Sequence, residues 1–276
     1  MLLIGQTGWW THGAAHRDDV PVAVRWRYLE TPRPFGLAHR GAHGGDVPEN
    51  TMAAFAAAVA LGFDYLETDV HATADGVLVA FHDSTLDRVT DRRGPVASLP
   101  YARVRQALVG GREPIPLLAD VLGAWPHVRV NIDVKSDAAV GPLLDVLRRT
   151  RAHHRVSIGS FSGSRTRHLR SVLPPGTATA LAPAEVATLR LSTRVRAAVR
   201  WLPPDVPCVQ VPVQHRGVTV VDEAFVALAH EQGRQVHVWT VNDETEMQRL
   251  LDLGVDALVT DEAARLSRVL AQRASR

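Results

Sequence analysis

Short apolar runs alternate with longer segments of helical periodicity from residue 35 almost to the end of the chain. Such runs are typical of buried strands, and the longer segments are typical of amphipathic helices. The predicted strands are 36–39, 64–70, 128–134, 155–160, 177–182, 206–213, 235–241 and 256–260. The predicted helices are 51–61, 117–124, 137–150, 184–199, 221–232 and 243–253. Strands joined by helical crossovers predict an α/β fold, a (β/α)8 TIM barrel forming a single domain over residues 35–270.

One apolar run, residues 77–82, does not fit this alternation. It follows the second strand after about six residues, whereas a parallel crossover needs about a dozen. We therefore expect an antiparallel strand excursion that turns at Asp75-Gly76, followed by a small irregular lobe over residues 83–114. Residues 1–34 show no clear period and form an N-terminal lead-in, either packed on the barrel or partly mobile.

Composition narrows the class of protein. The chain has 276 residues, 46% of them hydrophobic, which is enough for a sizeable core. The net charge is only +2 and basic residues do not cluster, so no nucleic-acid partner is expected. The sequence has no apolar run long enough for stable membrane insertion. A single cysteine, Cys208, excludes an intrachain disulfide and favours a reducing compartment, so we predict a cytoplasmic protein of undetermined oligomeric state.

Acidic residues stand at the ends of two predicted strands, where barrel enzymes carry their active sites. Glu67 and Asp69 alternate on one face of strand two, and Asn131, Asp133 and Lys135 do so on strand three. Converging carboxylates repel one another unless a cation lies between them, and Mg²⁺ and Ca²⁺ prefer oxygen ligands. The pattern predicts a site for one divalent metal ion, the alternative being ion pairs with the abundant arginines.

Two histidines and two cations complete the candidate chemistry. His39 ends strand one and His82 ends the excursion, and imidazoles suit general acid–base catalysis near neutral pH. Arg40 and Lys135 would bind phosphate oxygens. Lys135 is the only lysine beside 30 arginines, which indicates either a position where arginine would not serve or chance. Glu49 lies in the loop after strand one, close enough to join the metal site.

In this order and spacing, the motifs resemble those of the glycerophosphodiester phosphodiesterase family over about residues 35–265. The matching segments are HRG (39–41), PENT (48–51), ETD (67–69), TADGVLVAFHDSTLDRVT (73–90), IPLL (115–118), NIDVK (131–135), SF (160–161), WTVND (239–243) and GVDALVTD (254–261). No single motif is decisive, but the full series is highly specific.

The resemblance implies a metal-dependent enzyme that hydrolyses small glycerophosphodiesters to glycerol 3-phosphate and an alcohol through a cyclic phosphate. The implied roles are His39 and His82 as the acid–base pair, Glu67, Asp69 and Asp133 with help from Glu49 as ligands of Mg²⁺ or Ca²⁺, Arg40 and Lys135 as phosphate binders, and Phe161 and Trp239 as pocket walls near the glycerol. The family usually has Glu where this chain has Asp133, so metal affinity and ion preference are the properties most open to change.

Two alternatives remain. The same barrel and constellation serve phospholipase D-type enzymes acting on lysophospholipids, and an apolar patch at the mouth would favour that activity. Secreted sphingomyelinase D-like enzymes are less compatible, because they rely on disulfides that Cys208 alone cannot form. A catalytically inactive barrel that only binds phosphodiesters is the second alternative, which the retention of both histidines and all the carboxylates argues against.

Overall fold

The computed structural model describes residues 26–275 and contains a parallel eight-stranded barrel. The strands are β1 (Phe35–Ala38), β2 (Tyr65–Ala72), β3 (Leu78–Ala80), β4 (Leu108–Val109), β5 (Glu113–Pro114), β6 (Arg129–Val134), β7 (Val156–Gly159), β8 (Ala178–Thr179), β9 (Cys208–Pro212), β10 (Gln214–His215), β11 (Val218–Thr219), β12 (Gln235–Trp239) and β13 (Ala257–Thr260). The barrel strands run in the order β8-β7-β6-β2-β1-β13-β12-β9, and a parallel bridge between Ala180 and Cys208 joins the two ends. The predicted TIM barrel is confirmed.

Helices cover the outside of this barrel. They are α1 (Met52–Ala60), α3 (Leu118–Ala124), α4 (Val140–Thr150), α5 (Gly163–Val172), α6 (Pro183–Ser192), α7 (Glu223–Glu231), α8 (Glu244–Asp252) and α9 (Ala263–Ala274). The short helix α2 (Tyr101–Val104) belongs instead to the lobe that follows β3. Every residue of β1 and β2 is buried, because the strands carry side chains on the barrel interior and under the helices alike. This double burial explains the apolar run of β1, whereas β2 also buries the polar side chains of Glu67, Thr68, Asp69 and His71.

The predicted helix over 184–199 is wrong in its second half. Helix α6 ends at Ser192, and a separate 3-10 helix follows over Arg196–Trp201. The Ser192 and Thr193 hydroxyls donate hydrogen bonds to the carbonyls of the preceding turn, and Val195 leaves the helical region with φ −120°. Hydroxyl side chains compete with the helical backbone in this way, so the apolar spacing overstated the helix length.

The predicted antiparallel excursion is present directly after β2. Strand β3 pairs with the end of β2, with Val70 opposite Ala80, and the connecting turn uses Gly76 at φ +78°. The lobe that follows has an apolar cluster of its own, separate from the barrel core. Its buried members are Val79, Phe81, Leu86, Val96, Val104, Ala107, Val109 and Ile115.

The described part of the N-terminal lead-in packs against the amino-terminal end of the barrel. Trp26, Tyr28 and Leu29 are buried in one cluster with Phe35 and Tyr65, which begin β1 and β2. Residues 1–25 of the predicted lead-in lie outside the described residues. Within residues 26–275, none of the helices has the length and apolar character needed to cross a membrane.

Candidate active site

The carboxyl ends of β1, β2 and β6 open into a cavity of about 690 Å³ at one end of the barrel. Side chains from distant parts of the sequence meet there because parallel strands end at the same face. Nine of the ten predicted site residues line this cavity, and Glu49 does not. The nine are His39, Arg40, Glu67, Asp69, His82, Asp133, Lys135, Phe161 and Trp239.

A sharp turn after β1 directs the first of these residues. Arg40 and Gly41 both adopt positive φ, at +56° and +82°. A Cβ on Gly41 would lie 2.6 Å from the backbone carbon of Ala54 in α1, so only glycine fits between the strand end and the helix. The turn directs the Arg40 N–H to Oε2 of Glu67 at 3.1 Å, tying β1 to the carboxylates of β2.

Three carboxylates are buried side by side on β2 and β6. Asp69 and Asp133 are register partners on the adjacent strands, and Glu67 lies two residues before Asp69 on the same face. All three are at least nine-tenths buried. Burial, together with the neighbouring Asp69, raises the pKa of Glu67 well above its usual value, and burial also raises the pKa of Asp133. Placing three carboxylates this close together is therefore unfavourable unless positive charge lies among them.

Lys135 supplies one such positive charge. Its Nζ lies 2.7 Å from Oδ1 of Asp69 and 2.7 Å from Oδ2 of Asp133. Burial lowers the pKa of Lys135, but the two carboxylates raise it by more, so the amine is held as an ammonium. Oδ1 of Asp133 is buried and has no hydrogen-bond partner among the described residues.

His39 is held by a carboxylate from the last barrel strand. Its Nδ1 lies 2.6 Å from Oδ1 of Asp261, and its Nε2 lies 3.9 Å from Oε2 of Glu67. Burial raises the pKa of Asp261, but hydrogen bonds from His39, His43 and Asn242 lower it by more, to well below its usual range. An ionised Asp261 keeps the proton on Nδ1, which leaves Nε2 free to accept one.

His82 is held by a carboxylate in a similar way. Its Nδ1 lies 2.6 Å from Oδ1 of Asp83, and Arg88 donates from Nε to Oδ2 of Asp83 at 2.6 Å. These hydrogen bonds, that of Arg88 above all, lower the pKa of Asp83 to about 2 although burial opposes them. Both histidines thus have one ring nitrogen fixed by an ionised carboxylate, as general acid–base groups require.

Glu49 is bound by two arginines. Its Oε1 accepts hydrogen bonds from Arg40 at 2.9 Å and from Arg88 at 2.7 Å. Burial raises the pKa of Glu49, but these two cations lower it by more. Glu49 therefore links the Arg40 turn to the Arg88–Asp83 pair, and its assistance to a metal ion stays a prediction.

Several residues of the site escaped prediction: Asp83, Arg88, Asp261, Asn50, Asn242 and Gln210. Asn50 donates to Asp69 at 3.2 Å, Asn242 donates to Asp261 at 2.8 Å, and Asn131 accepts from Gln210 at 2.8 Å. The chain has only three asparagines, and all three therefore support this site. Because asparagine is so rare in this sequence, its three occurrences could have been recognised as candidate site residues.

The remaining wall of the cavity is mostly apolar. The rings of Phe161 and Trp239 meet edge to face with centroids 5.6 Å apart, and Nζ of Lys135 lies 5.7 Å from the Phe161 centroid. Phe161 is 66% exposed and Val218 is 61% exposed, so the apolar surface continues out of the cavity. Its other members come from β9, α6 and their flanking segments: Leu181, Pro183, Val186, Ala187, Val211, Pro212 and Val220.

The sequence profile of the Glycerophosphoryl diester phosphodiesterase family matches residues 39–265. The chain belongs to this family. The resemblance seen in the sequence motifs is confirmed, and with it the prediction that the chain is an enzyme, a glycerophosphodiester phosphodiesterase and hence a phosphoric diester hydrolase.

Individual relatives agree with this membership of the glycerophosphoryl diester phosphodiesterase family. The chain is 42% identical to the probable glycerophosphodiester phosphodiesterase 2 of Mycobacterium tuberculosis, over 86% of this chain and 90% of the relative. It is 25% identical to a lysophospholipase D of Rattus norvegicus, over 85% of each chain. The crystal structure of a putative glycerophosphoryl diester phosphodiesterase from Silicibacter pomeroyi matches with a TM-score of 0.75 at 26% identity, over 90% of this chain and 98% of that one.

Proposed function

We propose that this enzyme carries out metal-dependent hydrolysis of glycerophosphodiesters to glycerol 3-phosphate and an alcohol, with His39 and His82 as the acid–base pair. One observation carries the proposal. Two carboxylate-held histidines face the same cavity as three buried carboxylates and a lysine ammonium. Two acid–base groups in one cavity with a cationic centre suit the transfer of a phosphoryl group between oxygens.

The acidic residues fit a divalent cation. Two of the three buried carboxylates, those of Asp69 and Asp133, share the Lys135 ammonium, and Oδ1 of Asp133 lacks any partner among the described residues. Glu67, Asp69 and Asp133 would hold the ion, with hard oxygen donors that suit Mg²⁺ or Ca²⁺. When bound, the cation supplies Lewis-acid polarisation of the phosphoryl oxygens. Aspartate in place of the usual glutamate at position 133 shortens that ligand by about one C–C bond, roughly 1.5 Å.

The two histidines move the protons. In the first step, one imidazole accepts the proton of the glycerol 2-hydroxyl while that oxygen bonds to phosphorus. The bond from phosphorus to the alcohol oxygen breaks as the other imidazole, His39 or His82, protonates the leaving group. In the second step, water opens the cyclic phosphate with the two roles exchanged. Asp261 and Asp83 fix which ring nitrogen is available in each case.

The remaining predicted residues bind the substrate. Lys135 uses two of its three N–H donors on Asp69 and Asp133, and the third is free for a phosphate oxygen. Arg40 adds a second positive charge next to Asp69, with its Nε 3.5 Å from Oδ2. Phe161 and Trp239 form the edge-to-face pair against which the carbon side of a glycerol packs.

The deciding experiment measures release of glycerol 3-phosphate from glycerophosphocholine with Mg²⁺, with Ca²⁺ and with EDTA. We expect release with at least one cation, none after chelation, and recovery when the ion is restored. Full activity after exhaustive chelation would contradict the metal site. Turnover that survives His39→Ala would contradict the acid–base assignment, whereas binding without turnover in the wild type would indicate the inactive barrel.

A second candidate activity is lysophospholipase D-like hydrolysis of lysophospholipids. The observation favouring it is the apolar wall that runs from Leu181 inside the cavity to Val218 on its exposed rim. An acyl chain would pack there, whereas a glycerophosphodiester has no group to fill that surface. Turnover of lysophosphatidylcholine, measured beside that of glycerophosphocholine, separates the two activities. Faster turnover of the lysolipid requires the apolar wall to contribute to substrate binding.

We also propose a cytoplasmic location. The chain's only thiol, Cys208, is fully buried, and burial raises its pKa to about 12, so it is an unreactive core residue. Such a thiol needs no oxidising compartment. Fractionation of the native host with an antibody to the protein tests the location.

A further inference from the structure

A second cluster of metal-ligating atoms lies beside the catalytic carboxylates. Nδ1 of His39, Nε2 of His43 and a carboxylate oxygen of Asp261 all lie within 4.8 Å of one another. His39 and His43 follow β1, and Asp261 follows the adjacent β13. Among the described residues, no other His, Cys, Asp or Glu side chains form a group of three this tight.

The two imidazoles converge on a single oxygen. Oδ1 of Asp261 lies 2.6 Å from His39 Nδ1 and 3.2 Å from His43 Nε2. Ligand atoms around a tetrahedral zinc ion are about 3.3 Å apart, given bonds of about 2.0 Å. A small outward shift of His39 relative to Asp261 would therefore give bonding distances to a central ion.

The surroundings of the cluster also suit a metal. Asp261 is ionised, and its other oxygen accepts a hydrogen bond from Asn242 at 2.8 Å. Asn242 in turn accepts from the backbone N–H of Asp261 at 3.0 Å, so the carboxylate is fixed from behind. Outer hydrogen bonds of this kind orient metal ligands and raise affinity. The ligand atoms are partly exposed, so an ion can reach them from solvent.

We propose that His39, His43 and Asp261 form an inhibitory site for Zn²⁺ or a similar transition-metal ion. Two imidazole nitrogens and one carboxylate match the ligand preference of such ions and not that of Mg²⁺ or Ca²⁺. The site is distinct from the carboxylate site on β2 and β6, because it uses the opposite ring nitrogen of His39 from the one that faces Glu67.

The inhibition follows from the tautomers of His39. A neutral His39 ring that donates from Nδ1 to Asp261 presents Nε2 as an acceptor. An ion bound at Nδ1 moves that proton to Nε2, with no net loss of protons from the ring. Nε2 is then a donor only, so it cannot accept a proton from the substrate or from water. The predicted inhibition rests on the proposed function of His39, whereas the binding of the metal ion does not.

The test measures binding and turnover separately. Zn²⁺ is titrated calorimetrically into wild-type enzyme and His43→Gln under saturating Mg²⁺, which occupies the carboxylate site. His43 does not line the cavity, and glutamine keeps a polar side chain there. We expect one Zn²⁺ site in the wild type and an affinity at least about tenfold lower in His43→Gln. His168→Gln, on the exposed face of α5, is the matched control and should bind as the wild type does.

Turnover should follow the same pattern: Zn²⁺ inhibits the wild type and His168→Gln, and His43→Gln resists inhibition. Equal Zn²⁺ affinity in wild type and His43→Gln would overturn the proposal. A second check needs no variant. Co²⁺ bound to the wild type should give the intense visible absorption of a tetrahedral nitrogen–oxygen site. Bound Co²⁺ without this absorption would also overturn the proposal. The binding results stand even if turnover proves to use another residue, so failure of this site and failure of the proposed function are distinguishable.

Discussion

The two walls of the cavity differ in almost every property. The wall formed by β1, β2 and β6 carries charged side chains, several of which contact a partner of opposite charge, as Arg40 contacts Glu49 and Lys135 contacts Asp69 and Asp133. The wall formed by β9, α6 and the β10–β11 hairpin is mainly apolar and continues to the exposed rim at Val218. A charged wall of this kind tolerates little change, because each group would lose a buried partner. The apolar wall can vary side chain by side chain without that cost.

The contrast separates reaction from substrate choice. In the proposed function, the charged wall carries out proton transfer and phosphate binding, and the apolar wall accommodates the alcohol or acyl group. Variants in the charged wall should therefore reduce the rate for every substrate. Variants in the apolar wall should change the preference between substrates and leave the common chemistry intact.

The largest effect is expected from His82→Ala. The variant removes one acid–base group, so turnover of glycerophosphocholine should fall by at least about 10²-fold. His82 is partly exposed and bonded mainly to Asp83, so circular dichroism and Tm should change little. His168→Ala, an exposed histidine on α5, is the control and should retain full turnover. Near-normal turnover of His82→Ala would remove His82 from the mechanism.

A smaller loss is expected from Lys135→Arg. The charge is kept, but a planar guanidinium cannot occupy the point between Asp69 and Asp133 where Nζ lies 2.7 Å from each. We expect turnover to fall at least about tenfold, because arginine and lysine differ in shape and hydration. The reverse exchange at an exposed position, Arg148→Lys on α4, should have no effect. An active Lys135→Arg enzyme would mean that lysine is there by chance.

On the apolar wall, Val218→Asp should change selectivity. A carboxylate on the rim opposes packing of an acyl chain, so KM for lysophosphatidylcholine should rise by about three- to tenfold, as expected for a half-exposed valine. The kcat for glycerophosphocholine should stay unchanged. Val172→Asp introduces the same charge on an exposed valine of α5 that does not line the cavity. Equal effects of the two variants on both substrates would argue against an acyl-binding wall.

The smallest effect concerns stability and pH. The pKa of Asp83 is about 2 in the folded protein, chiefly because Arg88 binds it, and about 3.9 in unfolded chains. The stabilisation is therefore present above about pH 4 and is lost as the pH falls towards about 2. Asp83→Asn should lower Tm by a few degrees at pH 7, and the gap to the wild type should narrow below about pH 4. A gap independent of pH would show that the charge of Asp83 does not contribute.

The fold was predictable from the sequence where strands are buried on both faces. Strands such as β1 and β13 were predicted from their apolar runs, because both of their faces are covered, and Asp75-Gly76 marks the antiparallel turn between β2 and β3. Helix α5 gave no such signal, because it is largely polar and its buried residues are only Thr166 and Leu169. The length of α6 was overestimated because local hydroxyl bonds, which periodicity does not include, end the helix.

The charged wall was predictable in its primary residues and not in their partners. Glu67, Asp69 and Asp133 were found because strand alternation puts them on one face. Asp261 contacts His39 across 222 residues of sequence, and no local pattern indicates which acidic residue a histidine will meet. Arg88 was not predicted for another reason. The chain has 30 arginines, so composition does not single out any one of them.

The scarcity of lysine gives this enzyme a chemical handle. Lys135 is the only side-chain amine in the chain, so an acylating reagent that attacks lysines can label a single internal position, inside the active site. As an ammonium held by Asp69 and Asp133, the amine is a poor nucleophile. The rate at which Lys135 is acylated therefore reports how firmly those two carboxylates hold the ammonium. A ligand or ion that draws the carboxylates away should change that rate.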